Sequence, residues 1–273
     1  MSNNREIVLR TFRAKLSSGE RLIGAGAGIG LSAKASVKGG ADFLVVYNSG
    51  RYRMAGRGSL AGLLAYGDAN AIVLEMAYEV ILMAGHAPVF AGVNGTDPFR
   101  SMPGFLAQIR SAGFKGVQNF PTVGVFDGEF RKNLEGTGMG YGLEVEMMRT
   151  ARELDLVTAP YVFTVAEAEA MAKDGNADII VAHMGLTTSG SVGATTALPL
   201  DAAAKKTQRI IDAVRRIRSD LIVLTHGGPI ATPEDWKHVF ENTEGLDGFL
   251  GASSMERLPA EQAIAETVSR FRV

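Results

Sequence analysis

Eight short apolar runs, each followed by a stretch of helical periodicity, constrain this chain more than any other feature of its sequence. They occupy residues 22–27, 43–47, 88–93, 116–120, 157–163, 179–183, 221–226 and 248–252. Most are continuously apolar rather than alternating, as parallel strands covered on both faces are. Between them lie helix signals. Thr164 with Glu167 makes a capping box, and Thr232, Pro233 and Asp235 give a cap, a first-turn proline and an acid. Asp201 is placed to cap a helix with Ile210, Ile211, Val214 and Ile217 on one face, and Ile264, Thr267, Val268 and Phe271 repeat that spacing near the end. Eight β/α repeats over about 250 residues predict a single (β/α)8 TIM barrel. An open doubly wound sheet is the competitor, and the count of eight argues against it. No linker divides the chain, so residues 1–273 form one domain. Residues 1–20 are a helical lead-in whose Val8, Phe12 and Leu16 close the barrel bottom.

Composition narrows the partners. With 28 Lys+Arg against 29 Asp+Glu, there is no electrostatic case for nucleic acid or an anionic membrane surface. Cysteine is absent, which excludes disulfides, a thiol nucleophile and thiolate metal sites. The apolar runs are too short to span a bilayer, and Arg5, Arg10, Arg13 and Lys15 interrupt any signal core, so a cytoplasmic location is expected.

Glycine is enriched, 33 of 273 residues or about 12% against a usual ~7%, and clusters where strands hand over to loops. Gly24-Ala25-Gly26-Ala27-Gly28-Ile29-Gly30 invites a dinucleotide reading, but Ile29 and Leu31 break the register and the later acid is missing near Tyr47-Asn48. No nucleotide cofactor is expected; Gly26 and Gly28 instead suit a turn that a ligand approaches closely. No P-loop, complete G-x-S-x-G elbow or H-E-x-x-H occurs.

In a barrel the C-terminal strand ends surround the active site. His183 and His226 end the sixth and seventh runs and are candidate acid/base groups or metal ligands. His86 and His238 read as structural or surface residues. Other polar run ends are Asn48, Asn94 with Asp97, Gln118 with Asn119, and Ser253 with Ser254. Asp97 equally fits a cap for a helix beginning at Pro98, and Asn119 a turn before Phe120-Pro121. Glu144 and Glu146 read as a solvated helix face. Gly227, Gly228, Gly251, Ser253 and Ser254 suit an anion held by backbone N–H groups. The uncharged loop 184–200, with six Ser/Thr, is long enough to be a lid, and the loop after the fourth run carries Asp127, Glu129 and Arg131. Met102, Phe105 and Phe130 lie outside the core stripes and suggest a homo-oligomer.

Several stretches carry a family resemblance: Asn94-Gly95-Thr96-Asp97-Pro98-Phe99, Gln118-Asn119-Phe120-Pro121-Thr122-Val123-Gly124, Thr137-Gly138-Met139-Gly140-Tyr141, Ala182-His183-Met184-Gly185-Leu186-Thr187-Thr188 and His226-Gly227-Gly228-Pro229. The chain resembles the phosphoenolpyruvate hydrolase-like, or TIM-barrel signal transduction, proteins of the phosphoenolpyruvate/pyruvate group. That resemblance implies a barrel enzyme acting on a small phosphorylated or phosphonylated 2-oxo acid, by hydrolysis or carbon-bond cleavage, with a divalent metal such as magnesium. His183 and His226 would move protons or ligate, while Asn94 and Asn119 orient the substrate carbonyl. The group's usual acidic cluster is missing at Gly92-Val93-Asn94 and Gln118-Asn119, with Asp97 and Asp127 the nearest substitutes. The family's signalling label and that missing cluster give the alternative, a metabolite-sensing barrel without chemistry.

Overall fold

A computed structural model describes residues 4–272, so the ends of the predicted 1–273 domain lie outside the described residues. The strands are β1 (Leu22–Gly26), β2 (Phe43–Val46), β3 (Val89–Val93), β4 (Gly116–Asn119), β5 (Val157–Thr158), β6 (Tyr161–Val162), β7 (Ile179–His183), β8 (Ile222–His226) and β9 (Gly248–Gly251). They form one parallel sheet in the order β5-β4-β3-β2-β1-β9-β8-β7-β6. Its two edges, β5 and β6, are consecutive in the chain, so the sheet curls into a barrel.

The run at 157–163, expected as one strand, is thus two. Pro160 has no N–H for the ladder, and β5 pairs with β4 while β6 pairs with β7. Side chains bridge the gap. Asn119 Oδ1 accepts from the Tyr161 N–H at 2.7 Å, and its Nδ2 donates to the Tyr161 carbonyl at 3.2 Å. Gln118 Nε2 donates to the Ala159 carbonyl at 2.7 Å.

Strand alternation sorts the apolar runs into two cores. Phe43, Val45, Tyr47, Val157, Tyr161, Ile179, Val181, Ile222 and Leu224 fill the barrel interior. Leu44, Val46, Val117, Ile180 and Val223 pack outward against the helices. The N-terminal helix Asn4–Ser17 seats Leu9 and Phe12 on the inner core, with the Phe12 and Phe43 rings 5.7 Å apart, and Val8 and Leu16 pack beside them. The bottom is closed as expected.

The expected capping box forms at Thr164/Glu167, and the Thr232 cap proves to be a second box closed by Asp235. Other local expectations are corrected. The helix assigned to Asp201 starts at Leu200 behind Pro199, and Asp201 meets His238. No helix begins at Pro98: Ser101 precedes the helix Met102–Ser111, and Asp97 accepts the Phe99 N–H within a turn. Residues Gly128–Gly136 after β4 are helical, with Asp127 at the N-cap position. Phe105 is buried and adds nothing to an oligomer surface, whereas Phe130 is exposed. The helix Arg257–Arg270 turns Ile264, Val268 and Phe271 to solvent. Among the described residues no helix is long and apolar enough to cross a membrane.

Candidate active site

Alternation places the histidines. Ile179 and Val181 point inward, so His183 does too; Ile222 and Leu224 do the same for His226. The parallel register sets the two directly opposite each other, with ring centroids 4.7 Å apart. Tyr161, also inward, lies 4.8 Å from each ring, and Phe163 stacks on His183 at 4.5 Å. With Tyr47, Phe120 and Val125 they wall a cavity of about 40 Å³ at the barrel mouth. That volume holds a few water-sized groups at ~10–15 Å³ each.

Hydrogen bonds fix the two tautomers. His226 Nδ1 lies 2.6 Å from the Leu250 carbonyl, which only accepts, so Nδ1 carries the proton and Nε2 is a bare acceptor. His183 Nδ1 instead accepts from the Gly185 N–H at 3.0 Å, so its proton sits on Nε2. Burial holds both rings neutral: His226 is pulled down to about 4, with Arg53 adding to the effect, and His183 well below 6.5, helped by His226 and Lys206. One neutral donor therefore stands beside one neutral acceptor.

A phenol chain leads away from His226. Its Nε2 is 3.3 Å from the Tyr161 hydroxyl, which is 2.6 Å from that of Tyr47, and Tyr47 donates to Gln118 Oε1 at 2.5 Å. Burial raises both phenols above their ordinary value, so they stay protonated. Beside Tyr47, Arg53 is fully buried, bonded from Nε and Nη2 to Glu256 Oε1 at 2.9 and 2.7 Å and from Nη1 to Ser49 at 3.0 Å. Neither Arg53, Glu256, Tyr47 nor Tyr161 was singled out by sequence reasoning; the tyrosines ended or lay within apolar runs and read as core.

The other candidates are dispersed. Ser253 lines the cavity and faces Ser59 across 3.3 Å. Asn94 lines a neighbouring hollow, and Asp97 is bound by Asn70 and Arg100. Asn119 has the outward parity, and its Nδ2 meets Glu144 at 2.6 Å behind the sheet. Glu144, read as solvated, is fully buried; it also accepts from Thr122 at 2.7 Å and the Val123 N–H at 2.6 Å, while Glu146 is exposed. Burial pushes the Glu144 carboxyl up to about 7. Gly28 N–H is taken by Glu256 Oε2 at 2.7 Å, and a Cβ there would strike the Gly50 carbonyl. Gly26 ends β1, with Arg53 against it. Asn48 donates to the Gly62 carbonyl at 2.9 Å, and its buried Oδ1 has no hydrogen-bond partner among the described residues. Gly227 and Gly228 adopt left-handed backbone, and the Gly228 N–H donates to the Gly185 carbonyl at 2.7 Å, knitting the loops after β8 and β7 together. Gly251 ends β9 against Met255, with Ser254 half-buried beside it.

The donor set does not fit a magnesium ion. Magnesium is held by oxygen ligands, carboxylates above all. The cavity offers imidazoles, hydroxyls and a guanidinium, and Glu256 behind it uses both oxygens on Arg53 and Gly28. Among the described residues no three His, Cys, Asp or Glu side chains gather as a metal site.

A tomato (Solanum lycopersicum) protein, "ToMV susceptible protein tm-1(GCR26)", is 60% identical over 98% of this chain, which spans about a third of its length, 35%. The fold matches 2,3-dimethylmalate lyase, described as a PEP mutase/isocitrate lyase superfamily member, at a TM-score of 0.63 and 16% identity, over 100% of this chain and 88% of that one. It also matches phosphonopyruvate hydrolase in complex with oxalate and magnesium, at a TM-score of 0.58 and 16% identity, over 100% of this chain and 87% of that one. These solved structures share the barrel fold. The family model for phosphoenolpyruvate hydrolase-like proteins matches residues 7–273, and the chain belongs to that family.

Proposed function

We propose that the chain is an enzyme of the phosphoenolpyruvate/pyruvate group that cleaves a C–P or C–C bond of a small anionic 2-oxo acid, or hydrolyses the O–P bond of its enol phosphate. The observation that carries this reading is the pair of neutral histidines with opposite tautomers at the barrel mouth. His183 Nε2–H is a donor for the 2-oxo oxygen, where negative charge gathers as the bond breaks and an enolate forms. His226 Nε2 accepts a proton from an attacking water as the water oxygen takes the departing phosphoryl or acyl group, and the imidazolium so formed gives that proton to the enolate carbon, which restores the neutral ring. Aromatic walls keep bulk water out, which strengthens both interactions. No step here runs through a metal.

The test is turnover of phosphonopyruvate, phosphoenolpyruvate and acylpyruvates by the protein and its His183→Ala and His226→Ala variants. We expect losses of about 10²–10⁴ in kcat, the range of general acid–base groups. Stability in chemical denaturation should fall by roughly 1–3 kcal/mol for a buried group left without its partner, as the Leu250 carbonyl is in His226→Ala. Absence of turnover across the panel, or full activity in both variants, contradicts the proposal. Assembly as a homo-oligomer belongs to the same reading, supported by exposed Phe130; light scattering should exceed the monomer mass.

A further inference from the structure

We propose that the active site has a second compartment, in which Arg257 binds an anionic tail of the substrate, a phosphoryl or carboxylate group. The inference rests on the proposed function and adds where the substrate's charge is held. A cavity of about 150 Å³ adjoins the aromatic chamber and shares Ser59, Leu60, Leu186, Thr187 and Ser253 with it. The aromatic chamber alone is small, and its own guanidinium is neutralised: Arg53 is bonded to Glu256 deep in the protein. A dianionic substrate therefore needs a cation elsewhere.

Arg257 is the one charged residue lining the adjoining cavity. Its side chain is 4% exposed, yet it is only partly paired. Nη1 meets Glu261 at 3.1 and 3.2 Å, and Nη2 donates to the Ser189 carbonyl at 3.0 Å. Among the described residues its hydrogen bonds come from Nη1 and Nη2, and none comes from Nε. A guanidinium has five N–H donors in a planar fork that matches phosphate and carboxylate oxygens. Glu261, its only carboxylate partner among the described residues, is 29% exposed, so water screens that attraction in a way it does not screen Arg53. The hydroxyls of Ser59, Thr187 and Ser253 stand on the same wall, and no acidic side chain does.

The uncharged loop between β7 and the helix Leu200–Ile217 roofs this compartment through Leu186, Thr187 and Val192–Ala194 and is strapped to the same arginine. Ser191 bonds Glu261 from Oγ at 2.6 Å and from N at 3.2 Å, and Gly190 passes so close that a Cβ would lie 2.3 Å from Arg257 Nη1. An anion on Arg257 would therefore sit directly beneath the loop and be enclosed by it.

The experiment is calorimetric binding of phosphoenolpyruvate, pyruvate and inorganic phosphate to the protein and to Arg257→Ala, Arg257→Lys, Glu261→Gln and Ser191→Ala variants. The protein should bind phosphoenolpyruvate at least tenfold tighter than pyruvate, and phosphate should compete with the former. Arg257→Ala should erase the preference while leaving pyruvate affinity unchanged. Arg257→Lys, the variant to use if alanine impairs folding, should keep an intermediate preference because it retains the charge without the fork. Glu261→Gln should strengthen phosphoenolpyruvate binding several-fold. Ser191→Ala, which cuts the strap and leaves the cation, should keep the preference. No preference in the unaltered protein, its survival in Arg257→Ala, or equal loss in Ser191→Ala overturns the proposal. Activity retained in His183→Ala with the preference lost in Arg257→Ala would instead overturn the proposed chemistry and leave the anion compartment standing.

Discussion

At β7 and β8 the last strand residue is a histidine on the inward parity; at β4 it is an asparagine on the outward parity. Both are buried polar groups at the same end of the same barrel, and their fates differ. His183 and His226 each spend one nitrogen on the backbone and turn the other toward the cavity. Asn119 spends its whole amide on Tyr161 and Glu144, where it replaces the ladder that Pro160 cannot supply. A polar residue at a barrel strand end is therefore not a site by position alone. What distinguishes the two clusters is a hydrogen-bonding atom left free against a space that a ligand can enter.

Substitutions sharpen that contrast. The largest effect on stability is expected at Glu256→Ala, which leaves the Arg53 guanidinium buried without its counter-charge; losing one partner of such a pair costs about 3–5 kcal/mol. Chemical denaturation measures it, and a loss below ~1 kcal/mol would mean that water reaches the pair. Asn119→Ala comes next, since the Tyr161 N–H and the Glu144 carboxylate lose a partner, at roughly 1–3 kcal/mol for each orphaned group. If Asn119→Ala lowers turnover at unchanged stability, the contrast between the two clusters collapses.

The pH dependence separates them by sign. His226 has a folded value of about 4 against 6.5, so the unfolded chain binds the extra proton and stability falls as pH drops from 6.5 toward 4. Glu144 has a folded value of about 7 against 4.5; its contribution is complete below 4.5 and is lost as pH rises through 7. Between 4.5 and 6.5 the two oppose each other. Glu144→Gln should therefore steepen the acid loss of stability, by up to ~1.4 kcal/mol per pH unit for each proton. An unchanged slope in denaturation curves across that window would contradict the buried, proton-poised Glu144.

Much of this was legible in the sequence. Continuous apolar runs gave the strands, and counting residues in twos from Ile179 or Ile222 already aims His183 and His226 inward. The same count aims Asn119 outward, a signal that position at the run's end obscured. Tyr47 and Tyr161 share the histidines' parity but look like core, because a phenol is mostly apolar surface. Glu144 was missed because helical periodicity shows which face is apolar, not that a carboxylate on the buried side finds Asn119, Thr122 and Val123. The stripe Ile264, Val268 and Phe271 has the spacing of a buried face and is exposed, since periodicity reports amphipathicity without naming what covers it.

The smallest perturbation is none at all: a measurement of the two ring tautomers in the unaltered protein. With four histidines, ¹⁵N NMR of the imidazole nitrogens can be assigned by substituting exposed His86 and half-buried His238. His183 should be protonated on Nε2 and His226 on Nδ1, with the His226 ring neutral down to about pH 5 and the His183 ring also held below its ordinary value by burial. Matching tautomers on the two rings, or either ring titrating near its ordinary 6.5, would contradict the donor–acceptor pair on which the proposed chemistry depends.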